Sequence, residues 1–528
     1  MPNPYLAALA RPSSLQLLKG IRRGIEKESL RVTESGMLAQ SPHPATLGSA
    51  LTHDSITTDF SEALLEFITP PVATPEEALL QLDRIHRYTY SQIGDERLWV
   101  NSMPCHIGTD ADIPVARYGH SHIGTMKTVY RLGLGLRYGR AMQTIAGIHY
   151  NFSLPQEFWL WLREFEQSAE ELGEFKTRRY FDLIRNFRRH YWLLVYLFGA
   201  TPAVCSTFVQ GRQHNLQRFD GDASTLYSPH ATSLRMGDLG YNSNEQKSLI
   251  VCYNDLPSYL STLCAAITRP YPPYHRLGVK DAAGDYQQLS TGLLQIENEF
   301  YSPIRPKNPV GPGETALAAL DKRGVEYIEV RCLDLNPYLP LGIDSVQMRF
   351  LDIFLLHCLL DKSPKADEAD YRSVQENQRR IVYDGRDPQL QLIRNGEEVH
   401  LSDWAGQLLA EMAPLADLLD QAWDGDNFQR ALEAQSAVLR GDAPTPAARI
   451  LDDLARNEQS FFNWAAGKAE QHREFFLQRP LEPSAQAQFA AEAWSSLQRR
   501  AQLEAADEGC FEDFLGKYYA QYIFCQRQ

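Results

Sequence analysis

The segment GIHYNFSLP, residues 147–155, alternates strictly: Ile148, Tyr150 and Phe152 fall on one side of an extended chain, and His149, Asn151 and Ser153 fall on the other. Period-two alternation predicts a strand with one buried face. Working outward, YIEVRCLDLNP (327–337) sets Ile328, Val330 and Cys332 against Glu329 and Arg331. QIENEFY (295–301) reads the same way, with Gln295, Glu297, Glu299 and Tyr301 on one side. Strands with one apolar and one charged face suit an antiparallel sheet whose inner surface cups a polar ligand while helices cover the other. The expected fold class is therefore α+β: an antiparallel β-sheet covered on one face by helices, followed by a mainly helical C-terminal region.

The charged face is unusual in its acids. In GIRRGIEKESLRV (20–32), Glu26 and Glu28 are two apart, which puts both carboxylates on one face of a strand. ITTDFSEALLEFITP (56–70) adds Asp59 and Glu66, GIHYNF adds His149 and YIEVR adds Glu329. For any single acid a solvated strand face is the commoner explanation. As a set they would repel one another unless cations neutralise them. Oxygen donors with one imidazole point to magnesium or manganese, not to zinc or copper. Arginines accompany them: Arg131 in KTVYRLGLGLRYG (127–139), Arg235 in ATSLRMGDLGY (231–241) and Arg331 two residues from Glu329. An arginine fork suits phosphate oxygens, yet spacing alone leaves Arg331 equally open to a salt bridge with Glu329.

Composition bounds the rest. The 528 residues are 44% hydrophobic and 22% charged, an ordinary globular balance. A net charge of −14 argues against nucleic-acid partners, and would also repel ATP unless metal and local arginines reverse the sign where phosphates sit. The eight cysteines show no metal-ligand spacing and read as reduced thiols, which with the lack of a secretory signal suggests a cytoplasmic protein. An uncharged run from Tyr191 to Gln210 approaches bilayer length, but Gly199 and Pro202 interrupt it, so a buried helix ending near Gly199 is expected and no membrane association.

Beyond about Pro340 helical spacing dominates. Ser402 is followed by a stripe of Trp404, Leu408, Met412, Leu415 and Leu419, ending before Gly425, which is packing. His357 in RFLDIFLLHCLLDK sits on a helix apolar nearly all round and reads as a core histidine. There is no P-loop: Gly467-Lys468 and Gly516-Lys517 lack the upstream glycine and the following hydroxyl residue. Gly133, Gly135 and Gly139 have the wrong spacing for a dinucleotide fingerprint and lie in a helical stretch.

The runs RGIEKESLRV (23–32), LGSALTHDSITTDFSEALLEFITP (47–70), GDERLWVNSMPC (94–105), GIHYNFSLP, HATSLRMGDLGY (230–241), LQIENEFYSPIRPK (294–307) and GVEYIEVRCLDLNP (324–337) closely resemble, in order, those of the bacterial glutamate–cysteine ligases. The resemblance is detailed from about Leu18 to Arg349 and weaker beyond. It implies a fold related to glutamine synthetase, in which the antiparallel sheet forms a funnel, with residues 1–345 forming the core of a catalytic unit and 346–528 a helical region packed on it. It implies ATP-dependent joining of the glutamate γ-carboxylate to the cysteine α-amine through γ-glutamyl phosphate, the first step of glutathione biosynthesis.

Position by position, the resemblance implies Mg2+ ligands Glu26, Glu28, Asp59, Glu66, His149 and Glu329, with Mn2+ as the alternative ion. Arg131, Arg235 and Arg331 would meet phosphate or the charge that develops during transfer. Phe60, Tyr130, Leu134, Gln143, Arg235, Tyr241 and Tyr301 would line the cysteine pocket. Between Tyr130 and Tyr138 the chain departs from the family's more polar pattern at Leu132, Gly135 and Leu136. The implied partners are L-glutamate, L-cysteine and ATP, and a monomer is expected. Rival readings are a related carboxylate–amine ligase or guanidino kinase with another acceptor, and a non-catalytic sensor of amino acid or nucleotide.

Overall fold

Eleven consecutive extended residues, Arg22–Val32, make β1 the spine of the molecule. The other strands are β2 Ile56–Thr58, β3 Leu64–Ile68, β4 Arg97–Leu98, β5 Ile148–Ser153, β6 Ala203–Cys205, β7 Gln217–Phe219, β8 Asp222–Tyr227, β9 Ile304–Lys307, β10 Tyr327–Leu333, β11 Gln391–Arg394 and β12 Glu397–His400. This is a computed structural model describing residues 3–240 and 249–526, so Tyr241 lies outside the described residues. Seven strands form the main sheet in the order β2-β3-β1-β5-β10-β9, with β4 paired to the end of β1, and every pairing is antiparallel. Smaller sheets, β6-β8-β7 and β11-β12, lie outside it.

Alternation sorts the faces as expected. Ile25, Ile148, Tyr150, Phe152, Ile328 and Val330 are buried against the helices Pro75–Tyr90, Leu172–His190 and Ser345–Leu360, which cover one face. The Ser345–Leu360 helix is buried throughout from Phe350 to Leu360, and His357 lies in that core 3.8 Å from Glu411. A buried ion pair fastens sheet to helix: Arg23 of β1 meets Asp352 at 2.9 Å with both side chains fully buried, and the Tyr150 hydroxyl donates to Asp352 at 2.7 Å.

The 191–210 run behaves as a helix, Trp192–Phe198, ending at Gly199 before β6. Among the described residues no helix is long and apolar enough to cross a membrane. From Leu401 the chain is helical, and Trp404, Leu408, Met412, Leu415 and Leu419 are all buried. One continuous apolar core runs from Leu9 to Tyr522.

Two expectations need correction. QIENEFY is no strand: Glu297–Glu299 forms a 3-10 turn. Its acids are taken up mostly by tertiary partners, since Glu299 accepts from Arg137 (2.9 Å), Tyr138 (2.7 Å) and the Gln295 backbone amide (2.7 Å), while Glu297 accepts from the Ala316 amide and Tyr522. Nor are all eight cysteines free thiols, because Cys105 pairs with Cys205 and Cys264 with Cys525. These partners are 100 and 261 residues apart, so the fold alone brings them together and no local spacing announces them.

Asp352→Ala would leave the Arg23 guanidinium buried without its counter-charge, an expected loss of about 3–5 kcal/mol in chemical denaturation. The double change Arg23→Met with Asp352→Leu should recover most of it. A single-variant loss below about 1 kcal/mol would show that the pair does not fasten the layers.

Candidate active site

Register, more than proximity in sequence, builds the site. In antiparallel pairing, directly opposed residues share a face. Glu26 of β1 lies opposite His149 of β5, Glu28 opposite Glu66 of β3, and Glu329 of β10 opposite Asn151 of β5. Four strands therefore present their polar residues on the face away from the helices. Carboxylate oxygens of Glu26 and Glu329 and a ring nitrogen of His149 all lie within 4.8 Å of one another, a group able to hold a metal ion.

The first contacts are tight. Glu26 meets His149 Nδ1 at 3.0 Å and accepts from Asn151 Nδ2 at 2.8 Å. Glu28 lies 3.8 Å from His149 Nε2 and accepts the Gly147 amide at 2.6 Å. Glu329 is held between Arg331 at 3.0 Å and Lys307 at 3.3 Å. Pairing between β5 and β10 slips after Val330, so that Leu333 lies opposite Ile148 on the apolar side. Such a bulge re-aims side chains beside it, here Arg331.

Arg235 and Arg131 come from outside the sheet. Arg235, on the short turn Leu234–Met236, is buried; its Nη2 donates to the Arg331 carbonyl at 3.0 Å, and Asp334 lies 3.6 Å away. A Cβ on Gly147 would come within 2.0 Å of that guanidinium, so a side chain there would push Arg235 from this position. Arg131, on the helix His122–Tyr138, donates to the carbonyls of Asp59 and Lys127 (the latter at 3.0 Å) and stacks 4.5 Å from the Tyr118 ring. Asp59 directly follows β2, and it, Glu28 and Glu66, all expected as metal ligands, are outside the three-residue metal-competent group.

Tyr130 and Leu134 lie one turn apart on the 122–138 helix, which passes the β2–β3 turn closely enough that a Cβ on Gly135 would touch Phe60 at 3.5 Å. Tyr301 sets its hydroxyl against the Met236 sulfur at 3.1 Å. Gln143 lies on the turn Ala141–Thr144 that leads into β5.

Three groups on the site face were not singled out as candidates from the sequence: Asn151, Lys307 and Lys127. Asn151 fell on the correct face of GIHYNF but looked neutral; its Oδ1 is buried with no hydrogen-bond partner. Lys307 ends SPIRPK and Lys127 opens KTVYR, where a lone lysine carries no recognisable pattern.

Comparison with known proteins decides the family. Residues 6–381 match the glutamate-cysteine ligase family. A glutamate–cysteine ligase of Alcanivorax borkumensis is 53% identical over 517 residues, 97% of this chain and 98% of that one, and one of Saccharophagus degradans is 51% identical over 523 residues, 99% and 98% respectively. The crystal structure of glutamate–cysteine ligase from Francisella tularensis in complex with AMP superposes with a TM-score of 0.90 at 35% identity, covering 96% of this chain and 99% of that one. The chain belongs to the glutamate–cysteine ligase family.

Electrostatics show what this ligase fold asks of its site. Burial, with Asp59 adding to it, pushes the Glu28 carboxyl up to about 8. Burial and the charges of Glu26, Asp59 and Glu28 push Glu66 well above the usual carboxylate range. Burial acts on Glu329 too, but Lys307, Arg331 and His149 together hold it well below that range. His149 is lowered by burial and by Arg331, which keeps the imidazole neutral and able to ligate. Glu28 and Glu66 thus stay uncompensated where Glu329 does not, and the oxygen-rich donors with the orphaned Asn151 oxygen fit a hard divalent ion.

An exposed glutamate titrates near 4.5, whereas folded Glu28 keeps its proton to about pH 8. In metal-free protein this group's contribution to stability is full below about pH 4.5 and is lost as pH rises through about 8. The melting temperature without metal should fall by several degrees between about pH 6 and 8.5, Glu28→Gln should flatten the fall, and Mg2+ should reverse it at the alkaline end. An identical slope in wild type and Glu28→Gln would refute the assignment.

Proposed function

We propose that this site joins the γ-carboxylate of glutamate to the α-amine of cysteine with ATP, through γ-glutamyl phosphate. The carrying observation is the register that sets Glu66 of β3, Glu26 and Glu28 of β1, His149 of β5 and Glu329 of β10 on one face, with Arg331 against Glu329. AMP bound to the Francisella relative supports an adenine-nucleotide substrate, and ATP is the co-substrate in this reading.

Glu26, Glu28, Asp59, Glu66, His149 and Glu329 would hold Mg2+, or Mn2+ in its place. Such ions, when bound, screen the repulsion between a triphosphate and a carboxylate. The protein's own groups do the rest. Arg331, held in plane by Glu329, faces the developing negative charge with a fork that matches phosphoryl oxygens. Arg131 is tied through Nε to the Asp59 carbonyl, so it positions the β2–β3 turn while meeting the phosphate side. Arg235 serves both the charge of the transfer and the cysteine pocket, because its backbone turn also carries Met236 against Tyr301.

A carboxylate is a poor acyl donor; phosphorylation supplies a leaving group, which the incoming amine displaces. Phe60, Tyr130, Leu134, Gln143, Tyr241 and Tyr301 would line the pocket that presents cysteine, excluding water that would otherwise hydrolyse the acyl phosphate. Residues 1–345 and the helices of 346–528 act in this reading as one catalytic unit.

One assay tests the reading: phosphate released from ATP with glutamate and Mg2+, comparing cysteine, alanine, ammonia and no acceptor, with product identified by mass. Turnover should require cysteine and yield a γ-glutamyl dipeptide; glutamine or a phosphoguanidine would assign another acceptor, and ligand binding without turnover would make the protein a sensor. Arg331→Ala should lower kcat about 10²–10³-fold with a smaller change in glutamate KM. Glu329→Gln should raise the Mg2+ concentration needed for half-maximal rate while leaving the fold intact. A pure KM effect for Arg331→Ala would make it a binding residue only.

A further inference from the structure

A cavity of about 240 Å3 opens between the helices Leu172–His190 and Glu368–Asp384 and the segment 250–254, and neither the acids expected as metal ligands nor His149 line it. Three arginines of the first helix reach it, and they are not equivalent. Arg185 is tied to Asp182 and donates to the Asn254 carbonyl at 2.8 Å. Arg189 pairs with Asp370 at 2.6 Å and donates to the Pro364 carbonyl at 2.8 Å. Arg188 has no ion pair among the described residues; its guanidinium lies 4.3 Å from the centre of the Tyr253 ring and 5.5 Å from that of Tyr371. Two aromatic rings thus hold a half-buried cation whose hydrogen-bonding edge is open to the cavity.

The acids that share this lining are already engaged. Asp367 accepts the Asp370 amide at 2.9 Å, capping its helix, Asp370 holds Arg189, and Glu368 holds Arg372. Three arginines and three acids line the cavity, and Arg188 is the one guanidinium of the three without a carboxylate partner among the described residues, so its open edge is where a small anion would be held. The remaining wall is apolar, formed by Ile250, Val251 and Val374. Concave, mainly apolar space with one oriented charged group is the form small-molecule sites take.

We propose that this cavity is a second small-molecule site, separate from the active site, for a monocarboxylate with an apolar body of about phenyl size. The carboxylate would take two parallel hydrogen bonds from the Arg188 fork, and the body would lie against Ile250, Val251 and Val374. Tyr253 fixes one side of the site, because its hydroxyl is hydrogen-bonded to Ser302 at 2.7 Å.

The test is titration calorimetry of the full chain with 3-phenylpropionate, in saturating glutamate, ADP and Mg2+ so that the active site is filled. Wild type should bind at one site, and the neutral 3-phenylpropionamide should bind about tenfold to a hundredfold more weakly, the worth of a charged hydrogen-bonded pair. Arg188→Gln should weaken the acid to the same degree, and Val374→Trp should abolish binding by filling the cavity, both with unchanged turnover. Absence of binding by wild type up to about 10 mM, equal affinity in Arg188→Gln, or loss of binding when glutamate and ADP are added would each overturn the proposal.

Discussion

Like charges set opposite one another across an antiparallel ladder destabilise it, and this fold places Glu28 directly opposite Glu66 in its central strands. Everything on the polar face follows from how that repulsion is met. On the β10 side it is met by the protein itself, since Arg331 and Lys307 neutralise Glu329. Around Glu28 and Glu66 burial prevails, with Asp59 adding to it, over the arginines nearby, and both carboxyls rise out of their ordinary range. The gradient of neutralisation across one sheet leaves a local demand for positive charge where the proposed metals would sit.

A sheet that carries unneutralised acids on one face needs a rigid back. The opposite face supplies it by burial and by a few fully enclosed polar links. Arg23, Tyr150 and Asp352 join β1, β5 and the Ser345–Leu360 helix. Lys27, between Glu26 and Glu28 in sequence but pointing the other way, bonds Ser29 at 2.8 Å and His86 at 2.9 Å. These links tie the same strands that carry the site, so a shift of one strand along its neighbour would both break them and separate the acids. Because a one-residue slip turns every side chain to the other face, register and site geometry are the same property here.

Alternation in GIHYNFSLP, GIRRGIEKESLRV and YIEVRCLDLNP was enough to read which side chains share a face, and those strands form as expected. Period two says nothing about which residue lies across the ladder, so the pairing of Glu26 with His149 and of Glu28 with Glu66 became visible only in three dimensions. QIENEFY had the same pattern and a different outcome: its acids are engaged by Arg137, Tyr138 and backbone amides, most of them partners from distant parts of the chain that the alternation could not announce. Asn151 and Lys307 escaped notice for the opposite reason: their importance lies in a neighbour on another strand, and neither belongs to a motif of its own. The two cystine pairs were hidden likewise by their separation along the chain.

The C-terminal helices are part of the wall that faces the proposed cysteine pocket. The hydroxyl of Tyr519 donates to the Gln295 carbonyl at 2.8 Å, and the Gln295 amide donates to the Tyr130 carbonyl at 3.1 Å. Gly133 permits this, since a Cβ there would lie 2.2 Å from the Gln295 side chain. Glu504 accepts the His120 amide at 2.9 Å just before the same helix begins, and Cys525 is bonded to Cys264. The helix bearing Tyr130, Arg131 and Leu134 is therefore clamped from outside by residues almost four hundred positions later. A pocket wall made from one helix at the mouth of a sheet has few partners of its own; here the end of the chain supplies them, and this is the physical reason a largely helical last third accompanies a β-sheet active site.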